Sequence, residues 1–269
     1  MKTQTMSAVI YGTAWKKEMT AEYVKQAVRA GFRAIDTACQ PKHYREDLVG
    51  EGIEQSGVAR QELYIQTKFT PVEGQDPKSI PYDKSAPLAR QVEQSFTRSQ
   101  KNLATEYIDA LILHSPLFPF ARLMEVWHAM ERIKASGSVG AIGISNCYDL
   151  RVLQRLSAEA EFAPSIVQNR FYAQSDYDKA LRVWLQEQGV VYQSFWSLTA
   201  NPHVLADKRV IDIATKRDKS PAQIFFAYLQ SQGIHPLSGT TSLKHMQDDL
   251  EVEQIDLSKE EIAAIEQLL

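Results

Sequence analysis

The sequence predicts an α/β fold, a single (β/α)8 barrel spanning residues 1–269. Three observations lead there. A unit of amphipathic helix, glycine and short β-rich run recurs along the chain. The strand segments, such as DALILH and SIVQN, are apolar and separated by helices, the pattern of a parallel sheet buried on both faces. About eight such units follow one another at spacings of roughly 25 to 45 residues, the unit count of a closed barrel.

The elements read in order. A first strand is expected at Ala8–Tyr11. In TAEYVKQAVRAGFRAIDTA, residues Tyr23, Val24, Ala27 and Val28 form one helical stripe. Gly31 caps that helix and Arg33–Asp36 form the second strand. Leu63–Lys68 is the third strand. Thr70–Pro87, TPVEGQDPKSIPYDKSAP, is polar and rich in proline, hence a long loop at about 70–87 before the third helix. Loops of that length in compact domains are functional or mobile, against the plainer reading of a solvated excursion. Ile108–His114 and Ser165–Arg170 are further strands. The helix–glycine–strand unit returns as VWHAMERIKASGSVGAIGIS, ALRVWLQEQGVVYQSF and IFFAYLQSQGIHPLSG, with Gly137, Gly189 and Gly233 in the place of Gly31. An open doubly wound sheet is the alternative. It calls for a glycine-rich first turn, and no GxGxxG occurs: Gly137, Gly140 and Gly143 are three apart, and there is no P-loop.

Bulk properties exclude several classes. With 44% of 269 residues apolar, one sizeable core is available. The net charge is −3, from 30 basic and 33 acidic residues without a basic block, which argues against a nucleic-acid partner. Cys39 and Cys147 are the two cysteines, no disulfide framework, and fit a reducing compartment. The start, MKTQTMSAVIYGTAWKKE, has no long apolar run, and no stretch of about 18 apolar residues exists to span a membrane. The expectation is a cytoplasmic globular protein. Nothing in the sequence fixes an oligomeric state. His43, His114, His128, His203, His235 and His245 include no HxH pair, which argues against a metal-dependent barrel hydrolase; no metal site is expected.

Barrel chemistry sits at the C-terminal ends of the strands. The second strand ends in Asp36, the third in Lys68, the fourth in His114 followed by Ser115, the fifth in Ser145 and Asn146, and the sixth carries Gln168 and Asn169. Tyr44 follows soon after the second strand. Each has a plain reading: Asp36 a helix cap, Lys68 a solvated strand end, His114 a core histidine, Tyr44 a surface aromatic. Together they are chemically complete. Asp36 would hold Lys68 charged, and the ammonium would lower the pKa of Tyr44. The phenol could then protonate a carbonyl oxygen that a neutral His114 orients.

The stretches GFRAIDTA, HYREDLVGEGI, LYIQTKF, DALILHSP, GAIGISNC and SIVQNRFY resemble the aldo-keto reductases over nearly the whole chain. The resemblance implies a nicotinamide-dependent oxidoreductase that reduces aldehydes and ketones, with NADPH as cofactor and NADH as the alternative. It matches Asp36, Tyr44, Lys68 and His114 to the family's catalytic tetrad. Ser145, Asn146 and Gln168 match residues that bond the nicotinamide carboxamide, and Phe195 falls where an aromatic stacks on the ring. Departures are present. The Asp36–Tyr44 spacing is three residues longer than usual, through QPKH, and His43 is a neighbouring candidate. In PLSGTTSLKHMQDDL, Leu237 stands where the family often has a lysine, and His245 near a usual arginine. Ser238, Thr240, Thr241 and Lys244 remain as phosphate contacts, with Asp248 or Asp249 for adenine. The pocket wall is expected from Trp15, Cys39, Leu117, Phe118, Phe120 and Trp196, against the alternative of ordinary loop packing. The competing function is a regulatory barrel that binds the nucleotide as a sensor and turns over little.

Overall fold

In the computed structural model, which describes residues 8–269, eight parallel strands close into one barrel in the order β1 to β8. They are β1 Ile10–Gly12, β2 Ala34–Asp36, β3 Tyr64–Phe69, β4 Ile108–Leu113, β5 Val139–Ser145, β6 Ile166–Arg170, β7 Val191–Phe195 and β8 Ile234–Ser238. The barrel closes where Ile10 and Tyr11 pair with Leu237 and Ser238. Outside lie α1 Thr20–Ala30, α2 Glu46–Ser56, α3 Leu88–Asn102, α4 Phe120–Ala135, α5 Leu150–Glu159 and α6 Lys179–Glu187. They are followed by α7 Pro202–Ala206, α8 Lys208–Arg217, α9 Pro221–Ser231, α10 Leu243–Leu250 and α11 Lys259–Glu266. Residues 1–7, part of the opening stretch read above as having no long apolar run, lie outside the described residues.

Strand limits differ from the sequence reading by one or two residues. β1 begins at Ile10, and β3 runs one residue further, to Phe69. β4 stops at Leu113, the partner of Phe69, so His114 is the first residue past the ladder, although its N–H still donates to the Phe69 carbonyl at 2.9 Å. Gly31, Gly137, Gly189 and Gly233 all take positive φ between a helix and the next strand, where a Cβ would be strained. Between β3 and α3 the chain from Thr70 to Pro87 carries one short 3-10 turn, Val72–Gly74.

The main core lies between sheet and helices. Val24, Ala27 and Val28 of α1, three of the four stripe residues, are fully buried in it, with Tyr23 packed at its edge. A second, smaller apolar cluster of Ala110, Ile112 and Ile166, with Tyr64, Ala141 and Val191 against it, fills the barrel interior. Strand alternation then decides what stands above that plug. Two residues further along the same inward faces come Gln66, Gln168 and Gln193, and two further Lys68, Arg170 and Phe195. The lumen thus turns from apolar to polar toward its C-terminal mouth. No described helix is long and apolar enough to cross a membrane.

Candidate active site

A cavity of about 840 Å³ opens at that mouth. Its wall includes Trp15, Asp36, Tyr44 and His114 at one end, then Ser145, Asn146, Gln168, Arg170, Phe195 and Trp196, and then Ser238, Thr240, Lys244, His245, Asp248 and Asp249 at the other. Tyr44 comes from the turn before α2, Lys244, His245, Asp248 and Asp249 from α10, and the others from strand ends and the loops that follow.

At the floor, Lys68 Nζ lies 2.6 Å from both Asp36 oxygens and 2.9 Å from the Thr37 carbonyl, so all three ammonium protons have acceptors. Both side chains are almost wholly buried, at 1% and 3% exposure. Burial pulls the Lys68 pKa below the usual lysine range, and the Asp36 carboxylate pushes it back. Lys68 Nζ stands 5.3 Å from the centre of the Tyr44 ring. The tyrosine's proton affinity nevertheless departs from the sequence expectation. The Tyr44 pKa is raised well above the ordinary phenol value, first by burial and then by the charge of Asp36. The nearby ammonium is already matched by a carboxylate, so desolvation of the phenolate dominates.

His114 packs edge-on to Tyr44, ring centres 6.1 Å apart. Burial first, then Lys68 and His43, push its pKa down to about 3, so the ring is neutral. Its Nδ1 lies 2.7 Å from the Thr70 hydroxyl. When that hydroxyl donates, Nε2 carries the remaining proton and is a donor. Asn146, in the left-handed region at φ 55°, donates from Nδ2 to the His114 carbonyl at 2.9 Å and to Ser145 Oγ at 3.2 Å. Ser145 Oγ in turn donates to the Gln168 carbonyl at 2.6 Å. The ends of β4, β5 and β6 are thereby laced together.

The expected pocket wall divides. Trp15 and Trp196 do line the cavity and are exposed, at 60% and 48%. Trp15 lies 3.7 Å from the His43 ring. Cys39, Leu117, Phe118 and Phe120 do not line it. The Cys39 thiol turns outward to Ser95 and Ser99 of α3, and burial pushes its pKa up to about 12. Leu117 is buried in the main core, Phe118 faces solvent, and Phe120 lies under the Arg155 guanidinium at 3.9 Å. A turn sends consecutive side chains to opposite sides, and neighbourhood in sequence cannot choose between them.

The far end of the cavity is also tied up differently from expectation. The Ser238 hydroxyl donates to buried Asp249 at 2.5 Å. Burial raises the Asp249 pKa to about 6. Lys244 is paired with Asp248 one helical turn on, at 2.9 Å. Thr240 stands in the wall and Thr241 does not.

Two cations absent from the sequence reading appear here. Lys16 is buried, and its Nζ donates to the Gly239 carbonyl at 2.9 Å, holding the loop after β8. Arg170, two residues past Gln168 and so on the same inward face, stacks its guanidinium 4.2 Å from the Trp196 ring. It stands in the cavity wall, and its buried Nε has no hydrogen-bond partner among the described residues. Strand alternation alone would have found Arg170; Lys16 was hidden in the charged run KKE. Among the described residues no group of three His, Cys, Asp or Glu is placed to hold a metal ion.

The aldo/keto reductase family profile matches residues 5–202 and 193–269. A glyoxal reductase of Bacillus subtilis is 30% identical over 247 residues, covering 92% of this chain and 82% of that protein. A methylglyoxal reductase of Escherichia coli K12, DkgA, is 26% identical over 246 residues, covering 91% and 82%. Among solved structures, an aldo/keto reductase from Brucella melitensis superposes with TM-score 0.82 at 26% identity, covering 97% of this chain and 95% of that one. A silkworm aldo-keto reductase solved with NADP superposes equally well, TM-score 0.82 over 98% and 90% of the chains, and at 24% identity it speaks for the fold alone. The chain belongs to the aldo/keto reductase family.

Proposed function

We propose that the protein reduces aldehydes and ketones to alcohols with NADPH, and that Asp36, Tyr44, Lys68 and His114 carry the reaction. One observation supports this above others: a protonated phenol, a buried ammonium–carboxylate pair and a neutral imidazole meet at one end of a cavity of cofactor size. The residues present fit a nicotinamide dinucleotide. Phe195 offers a ring face and Gln168, Asn146 and Ser145 offer polar groups for the carboxamide. Arg170, in register with Phe195 and with a buried Nε that has no partner among the described residues, would offer a cation to the diphosphate of such a molecule. When bound, the reduced nicotinamide supplies the hydride.

The chain's own residues do the rest. Tyr44 holds the proton that the product oxygen needs, and its raised pKa keeps it protonated across the physiological range. The Lys68 ammonium stabilises the phenolate left behind. Neutral His114, with Nδ1 fixed by Thr70, presents Nε2–H to the carbonyl oxygen and orients it. A proton transfer so placed contributes about 10²–10⁴-fold. Trp15 and Trp196 supply an apolar rim suited to small or aromatic carbonyl compounds; glyoxal and methylglyoxal, for which two relatives are named, are small carbonyl compounds.

NADPH is preferred over NADH by about tenfold, or 1.4 kcal/mol. Lys244 at the start of α10 and His245 are the groups available to a 2′-phosphate, and Lys244 must share itself with Asp248. The test is turnover of methylglyoxal and benzaldehyde with each dinucleotide. Consumption of NADPH upon aldehyde addition is expected; tight NADPH binding without turnover of any carbonyl would favour the sensor barrel and end this reading.

A further inference from the structure

Beneath the Lys68–Asp36 pair, three glutamines form one hydrogen-bonded layer across the barrel. Gln66 on β3 and Gln193 on β7 stand half the ring apart. Their amides bond reciprocally, each Nε2 donating to the other's Oε1 at 2.8 Å. Gln66 Nε2 also donates to Asp36 Oδ1 at 2.7 Å. Gln168, in register with Gln193, donates from Nε2 to Gln193 Oε1 at 2.8 Å and to Asp36 Oδ1 at 2.9 Å. None of the four residues is more than 2% exposed.

Valence fixes every amide in the layer. A carboxylate only accepts, so Gln66 and Gln168 must both present their NH2 groups to Asp36. Gln193 must then present its oxygen to both and return its own N–H to Gln66. Turning Gln168 over would set its oxygen against two other oxygens in a dry interior, where an unmatched polar atom is expensive. Both N–H groups of Gln168 are therefore spent below, and the atom it offers to the cavity is Oε1.

We propose that the Gln66–Gln193 strut is a positioning device: it locks Gln168 as a hydrogen-bond acceptor, so that the cavity takes a ligand with an amide NH2 at that point and rejects an isostere without one. The proposal rests on the reading that the nicotinamide carboxamide meets Gln168. Without the strut, one Gln168 N–H loses its acceptor, the amide swings about its remaining bond to Asp36, and a donor can face a donor.

Equilibrium binding, followed by quenching of tryptophan fluorescence, tests this without reference to turnover. The probes are NADP⁺ and its 3-acetylpyridine analogue, in which methyl replaces the amide NH2. One neutral hydrogen bond corresponds to about tenfold in affinity, so wild type should bind the analogue about tenfold more weakly. In Gln193→Met the ratio should fall to about threefold or less. Gln193→Met orphans the Gln66 oxygen, so the double variant Gln66→Met/Gln193→Met is measured alongside. It should recover thermal stability relative to the single variant but not discrimination, because replacing both partners is gentler than removing one. Discrimination returning together with stability would make the layer mere packing and overturn the proposal, as would equal binding of the two dinucleotides by wild type. A wild type that binds neither overturns the reductase reading instead, and this inference with it.

Discussion

Lys68→Met removes the cation bonded to Asp36, the only one among the described residues, and leaves the carboxylate in place. In the intact site Nζ is 2.6 Å from both oxygens and the pair is almost fully buried. At an effective dielectric of about 20, Coulomb attraction across that distance is about 6 kcal/mol, part of which repays the cost of burying two charges. Breaking a buried pair from one side costs about 3–5 kcal/mol, because an uncompensated charge remains. Gln66 and Gln168 still donate to Asp36, which places the expected loss near the lower end of that range. Against a typical total stability of about 5–15 kcal/mol this is large but survivable. The partner control is Asp36→Asn/Lys68→Met, which has no orphaned charge and should recover most of the loss. Urea titration gives the three stabilities, and turnover with saturating NADPH gives the chemistry. Both variants should lose at least about 100-fold in kcat, since neither can stabilise a Tyr44 phenolate. A single variant destabilised by under about 1 kcal/mol would refute the buried-pair account. One that keeps more than a tenth of its turnover would remove Lys68 from the chemistry.

Three further outcomes follow. Arg170→Gln should weaken NADP⁺ and NAD⁺ alike, by about tenfold in Kd, because the diphosphate is common to both; a loss confined to NADP⁺, or to the KM of a carboxylate-bearing aldehyde, would place its anion elsewhere. Lys244→Ala should raise the KM for NADPH and leave that for NADH nearly unchanged, whereas equal losses would mean it is no phosphate contact. Asp249 is held at a pKa of about 6 by burial, so between the ordinary carboxylate range and about 6 the native state keeps a proton the unfolded chain has released. That contribution is present below about pH 4 and is lost as pH rises through about 6, on the order of 3 kcal/mol in all. Asp249→Asn should flatten that slope in urea midpoints, and an unchanged slope would assign the proton to another group.

The parts of the site legible in the sequence are those that break a local rule. Asp36, Lys68 and His114 end apolar strands with polar groups, a costly choice in a parallel sheet unless the groups meet. Gly31 and its counterparts mark helix ends for a similarly local reason. What depended on long-range packing was not legible. Cys39 and Phe120 adjoin site residues in sequence yet turn away from the cavity. The proton affinity of Tyr44 follows burial, a property of the whole fold, more than the one neighbouring charge that the sequence shows. The bond between Ser238 and Asp249 joins a strand end to a helix eleven residues on. Gln66 in YIQTKF and Gln193 in VVYQSF break the apolar rule on inward faces, a signal of the same local kind.

The central claim is that Tyr44 is the proton donor in carbonyl reduction, and Tyr44→Phe tests it most directly. NADPH affinity and turnover of methylglyoxal are measured on the same preparation of wild type and variant. The phenol should contribute to chemistry and little to dinucleotide binding, so Kd should stay within about twofold while kcat falls by about 10²–10⁴. A variant that binds NADPH normally and retains more than about a tenth of wild-type kcat would contradict the assignment and move the acid to another residue, His43 being the neighbour to examine.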